Sequence, residues 1–260
     1  MPGPFREGAL RDAVRHLINS DPKAGCGVLA GYLDEHPDDP LAHALHAAVR
    51  FYHDVSLRIP RRDTQSIVGV LLGPGVDMPR ALQKEIGNDL RQARTLAAKV
   101  LAAHAGDPAA LLALCVVEGV NRDGLALVSK RWSAAIAHAQ RAHFIARRLL
   151  EHEPLAHDAH FVFGSTEYLV SRVPAPVRPF VHIPGVAGDK RKAIAYCQIA
   201  AKSGFYFREF ARRTLVNLYI EEDCLTEALR LLGELVDEFP GNPMLRADWI
   251  GLQARARRKP

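Results

Sequence analysis

One recurring junction constrains this chain more than any other feature. Four times an Asp or Asn stands directly before a proline, and a helical run follows: Asp21-Pro22, Asp39-Pro40, Asp107-Pro108 and Asn242-Pro243. Proline is tolerated at the first helical position because the N–H there has no helical partner. The side chain before it can accept from the free N–H groups of the first turn. These junctions mark helix starts. Apolar residues recur between them at helical spacing, which predicts helices near 9–19, 22–36, 40–57, 79–105, 108–127, 131–152, 157–172, 189–203, 206–221, 224–239 and 243–257. No stretch alternates apolar and polar residues between hairpin turns, so an all-α fold without sheet is expected.

Composition agrees. The 260 residues are 48% hydrophobic but only 7% aromatic. A core of Ala and Leu favours helices over strands. Two stretches interrupt the helical pattern, RIPRRDTQSIVGVLLGPGVDMP (58–79) and VPAPVRPFVHIPGVAGD (173–189). Both are too long and too apolar for tight turns, and they read as packed or functional loops.

The formal net charge is +5, with a pI near 9.1. The one concentrated tract is the basic tail 255–260, with Arg255, Arg257, Arg258 and Lys259. A mild excess of this kind fits a solvated surface, or weak nonspecific attraction to nucleic acid or anionic lipid. The four cysteines, Cys26, Cys115, Cys197 and Cys224, form no C-x-x-C pair. Reduced thiols are expected rather than a disulfide framework or zinc knuckle. The first residues have no apolar signal-like region, and the longest apolar run is Ala109 to Val117. That run is far short of a membrane span. A cytoplasmic soluble protein is the expectation.

The helices recur as pairs. The junctions LDEHPDDPLAH, LAAHAGDPAAL, LEHEPLAHDAH and VDEFPGNPMLR share one pattern: an apolar helix end, a two-residue turn and a new helix. A ruler of about 34 residues set with Pro240 at position 32 puts Glu209 at position 1. Tyr219, Ala228 and Leu232 then fall at positions 11, 20 and 24. With His157 at position 1, Phe163 and Gly164 fall at 7 and 8, and Ala47 and Cys115 occupy position 8 of the Pro40 and Pro108 units. Small residues there let paired helices approach closely. On these residues the chain resembles the tetratricopeptide-repeat superfamily over about 9–257, as a single domain spanning 1–260. It departs from the pattern at position 4, where His43, Leu111, His160 and Arg212 replace Trp. The segment from Gly188 to Pro243 is also similar to a branch of outer-mitochondrial inclusion-clearance proteins and their bacterial relatives.

The resemblance implies a right-handed superhelix of helical pairs and a non-enzymatic scaffold that binds a protein or peptide. It also implies that the first helices line a concave groove. That groove would present Phe51, Leu112, Phe161, Tyr168, Phe210, Arg213 and Asn217, among others. Arg213 and Asn217 match positions where clamp-type members hold a peptide carboxylate. The alternative for Arg213 is an ordinary ion pair with a neighbouring acid. The groove could accept a partner helix or peptide. The other reading is a groove filled by the chain itself, with Ile67 to Leu72 as a ready filler. An apolar-ligand or lipid-binding protein and a basic RNA-binding scaffold remain the alternative functions.

Catalytic and metal motifs fail on spacing. His152-Glu153-Pro154-Leu155-Ala156-His157 has one residue too many for H-E-x-x-H, and its proline breaks the helix. His43, His46 and His53 lack a completing Cys or carboxylate. Gly185 to Arg191 lacks the phosphate-loop spacing, and a helix capped at Asp189 explains it better. Gly164-Ser165-Thr166-Glu167 is no nucleophile elbow. No enzyme, metal or cofactor is expected.

Overall fold

The computed structural model describes residues 8–58, 74–171 and 183–258. The described residues are helical and contain no strand; Ile183 and Val186 form one isolated bridge. The helices are α1 (Gly8–Ile18), α2 (Pro22–Glu35), α3 (Pro40–Arg58), α4 (Arg80–Ala103), α5 (Pro108–Asp123), α6 (Trp132–His152), α7 (Ala159–Ser171), α8 (Lys190–Ser203), α9 (Arg208–Glu221), α10 (Leu225–Glu238) and α11 (Pro243–Arg258). None of the described helices is long and apolar enough to cross a membrane.

The predicted caps form. Asp21 accepts from Ala24 N at 3.1 Å, Asp39 from Leu41 N at 2.7 Å, and Asp107 from Ala110 N at 2.8 Å. Asn242 accepts from Met244 N at 2.9 Å, and Asp189 from Arg191 N at 2.8 Å. Each helix packs on its neighbours in sequence, and α3 also packs on α1 and α5. Small residues sit at the close approaches: Ala47, Ala93, Ala146 and Ala228 are fully buried. A side-chain carbon on Gly164 would stand 2.5 Å from the Cys197 sulfur, so α7 and α8 can meet closely only with glycine there.

One helix ends earlier than predicted. The run 108–127 breaks at Asp123, and Gly124–Val128 forms a π-helical turn in which Ser129 N donates to Gly124 O. The wider turn leaves the Leu127 carbonyl to accept from Val76 N at 2.9 Å. Residues 74–79, the described end of the first loop, therefore dock on this turn, with Met78 buried in the core. The remainder of that loop, including the proposed filler Ile67 to Leu72, lies outside the described residues. So does most of the second loop. Its described end packs Ile183 against Ala139 of α6 and Val170 of α7.

Two cores result. The larger runs from Leu10 of α1 through α3, α5 and α7 to Phe207. The smaller joins α8 to α11 and begins at Tyr168. The turn after α1 meets the turn before α11. Gly241 N donates to Asn19 Oδ1 at 2.9 Å, and Asn242 Nδ2 donates to Ile18 O at 2.6 Å. Arg15 reaches Glu209 at 3.0 Å and Glu238 at 2.7 Å, and lies 4.9 Å from the Phe239 ring centre. Sequence periodicity carries no signal for this contact, which joins residues about two hundred positions apart.

Candidate functional site

The residues expected to line an open groove have divided fates. Phe51, Leu112 and Tyr168 are 2%, 0% and 2% exposed. They are core residues, not a binding surface, and that corrects the expectation for these three. Leu112 sits between the paired helices. Phe51 packs edge-on to Tyr52 with ring centres 5.1 Å apart. Tyr168 turns its hydroxyl to Glu221, donating at 2.7 Å.

Phe161 and Phe210 are half-buried and belong to a ring cluster. Phe210 lies 5.9 Å from Tyr52, 6.2 Å from Phe161 and 6.4 Å from Phe207, and Phe161 lies 5.7 Å from Phe207. Tyr52 is on α3 and Phe210 on α9, so helices from opposite halves of the chain touch here. The cluster is anchored below. Tyr52 donates to Asp123 Oδ2 at 2.8 Å, and Arg122 holds the same carboxylate at 2.7 Å. Burial, together with the negative Asp123, pushes the Tyr52 phenol well above its ordinary pKa.

Arg213 and Asn217 are also half-buried. Arg213 is tied to Asp248 of α11, the ion-pair alternative that the sequence left open. Their neighbours on the same face of α9, Thr214 and Ile220, are half-buried too. The expected groove positions are thus buried along α3, mostly buried along α5, divided along α7, and half-buried throughout along α9.

Several buried polar groups have roles that the sequence did not reveal; Asp158, at a position where the repeat pattern points into the groove, is buried instead. Asp158 is 1% exposed and accepts from Phe205 N, Tyr206 N and Phe207 N at 2.6–2.9 Å. It pins the turn before α9. Burial pushes its carboxyl up, against the pull of those three donors. Glu209 is fully buried between Arg15 and Arg11, the latter at 3.9 Å, and its second oxygen has no partner. Glu167, also buried, accepts from Asp189 N at 2.9 Å. This bond fixes the Gly188-Asp189 turn, where Gly188 has φ +69° and lies against the α7 backbone.

Glu118 is the fourth, on α5. It is held by Arg94 of α4 at 2.8 Å, and by His138 at 2.7 Å and Arg141 at 2.9 Å of α6. A signal for it was available: it is the first charged residue after the longest apolar run in the chain. Asp158 and Glu209 carried no such mark, because each sits where a helix cap or a solvated first turn would also place an acid.

Histidines are dispersed. His43 contacts Pro37 O at 2.8 Å and His46 contacts Asp89 at 3.1 Å. The hydrogen bond to Asp89, helped by one to Cys26, raises His46 to about 9. His143 and His160 pack against the Phe163 ring, and burial lowers both. His152 ends α6 and His157 precedes α7, so they share no helix face. Among the described residues no three His, Cys, Asp or Glu side chains gather into a metal-holding group. No protein-family model, curated protein or solved structure matches the chain.

Proposed function

We propose that this chain is a tetratricopeptide-like superhelical scaffold that holds a protein or peptide partner along the inner face of α9. The single observation that carries the reading is the half-open α9 face. It presents Phe210, Arg213, Thr214, Asn217 and Ile220, all half-buried, whereas the matching positions of α3 are buried, those of α5 mostly buried and those of α7 divided. Sequential helix pairing with small residues at the close approaches supports the repeat architecture.

Arg213 and Asn217 are one turn apart on one face of a helix. An arginine fork suits a carboxylate. A partner carboxylate would take over Arg213 from Asp248, a residue of the last helix, and would thereby be coupled to α11. Because rings already occupy the inner face of the earlier helices, an extended peptide fits this surface better than a bulky apolar ligand.

The test is photo-crosslinking from a benzophenone side chain at position 217 of the full chain. One defined polypeptide should be captured there and none from position 155, on the outside of the α6–α7 turn. Arg213→Glu should abolish the capture. Stoichiometric co-purified lipid with no captured polypeptide would overturn the reading.

A further inference from the structure

The chain's positive charge is concentrated. Between Asp89 and Glu151 stand nine Lys and Arg residues against three acids, Asp107, Glu118 and Asp123. The rest of the chain has 25 against 26 (34 less nine, 29 less three). The three acids are also spoken for. Asp107 caps α5, Asp123 is held by Arg122 and Tyr52, and Glu118 is buried under its three partners. At Glu118 the negative end is hidden and the positive ends point out: Arg94 and Arg141 each leave about half their side chain in solvent, 50% and 49%.

The outward face of α6 continues this arrangement. Phe144 is 62% exposed, the most exposed aromatic ring among the described residues. Arg141 lies three residues before it, Arg147 three after and Arg148 four after, so all three surround the ring on the helix surface. The Arg147 guanidinium lies 5.6 Å from the Phe144 ring centre. Phe144, Arg141, His143, Arg147, Ile183 and Pro184 line an open depression of about 540 Å³. The next acid along the helix is Glu151, at its end.

We propose that this face docks single-stranded nucleic acid, with a base stacked on Phe144 and phosphates on Arg94, Arg141, Arg147 and Arg148. This goes beyond the peptide-binding reading and uses the opposite helix of the α5–α6 pair. An exposed ring among cations is the element that single-strand binders use, since every base offers a π-face. Arginines outnumber lysines seven to two in the basic stretch, and the guanidinium fork both grips phosphate and stacks. A membrane surface fits less well. An interfacial helix buries a broad apolar face, and here the strongly exposed side chains around Phe144 on α6 are the arginines Arg141 and Arg147.

The test is fluorescence anisotropy of a labelled 20-nucleotide poly(U) with the full chain. Four phosphate contacts predict a log–log salt slope near −2.8, or about a 50-fold loss of affinity between 50 and 200 mM salt. Phe144→Ala should weaken binding about tenfold with the slope unchanged. Arg147→Gln should make the slope shallower by about 0.7. Arg191→Gln/Lys192→Gln, at the exposed start of α8, should leave binding as it was and so serves as the control for diffuse charge. Circular dichroism confirms that each variant is folded; Phe144 is too exposed for its loss to unfold the chain. Unchanged affinity in Phe144→Ala overturns the proposal. So does equal competition by poly-glutamate, or tighter binding to vesicles with 30% phosphatidylserine than to poly(U).

Discussion

Two regions of this molecule bury a carboxylate among arginines, with opposite consequences. Around Glu118, the acid joins helices that are already neighbours in sequence, and its arginines keep half their surface in water. Around Glu209, the acid joins α1 to α9, 194 residues apart, and is completely enclosed. Asp158 lies in the same junction and holds the Phe205–Phe207 backbone. The first region makes a surface and the second closes the fold. What separates them is where the charge can go when its partner is lost. Arg94 and Arg141 can turn to solvent, whereas the groups at the junction would remain buried and unpaired.

That difference can be broken most forcefully at Asp158. Asp158→Ala leaves three buried N–H donors without an acceptor and should cost about 4 kcal/mol in urea unfolding. Asp158→Asn, which keeps one acceptor oxygen, should cost distinctly less. Equal losses would mean that the side chain acts by volume rather than by hydrogen bonding.

A pH titration addresses the other side of the molecule, where α3 meets α4. His46 is raised to about 9 beside Asp89. A raised histidine adds stability that is fully present below its unfolded value near 6.5 and is lost as pH climbs through about 9. Chemical denaturation between those limits should show a decline of about 1–2 kcal/mol, less than the full shift would give because solvent screens the partly exposed pair. His46→Gln should flatten it, and a decline that persists in the variant would assign it to another group.

The contact that α1 makes across the chain is sharpened by Arg15→Ala. Global stability should fall by about 1–2 kcal/mol, since Glu209 keeps only the distant Arg11. Hydrogen exchange should speed up in α1 and around Gly241 while α3 to α6 stay protected. Uniform acceleration would show that this contact supports the whole larger core, to which α1 contributes Leu10, Ala13 and Val14, rather than only its edge. The smallest effect belongs to Glu118→Gln, about 1 kcal/mol or less, because its arginines are half-solvated. A loss as large as that of Asp158→Ala would erase the contrast between the two regions.

The helices and their starts were legible in the sequence because caps act within one turn. Asp21, Asp39, Asp107, Asp189 and Asn242 each bond a backbone N–H two or three residues on. The glycine at position 164 was legible too, since close packing of paired helices leaves a periodic trace of small residues. The candidate groove was legible only as a list. Phe51 and Phe161 have the same spacing logic, yet one is core and the other half-open. What separates them is which distant helices pack over each side chain, which no single residue encodes.

By itself, then, the sequence determined an all-helical chain, its helix boundaries to within a few residues, and its glycine and alanine contact points. These depend on interactions between near neighbours along the chain. Only the tertiary structure decided that Ile18 and Asn19 meet Gly241 and Asn242, that Tyr52 meets Phe210, and that Glu118 hides while Arg94 and Arg141 face out. Those facts depend on the relative placement of distant helices. Short-range propensity fixes each helix, but the geometry accumulated over the whole stack decides which faces meet.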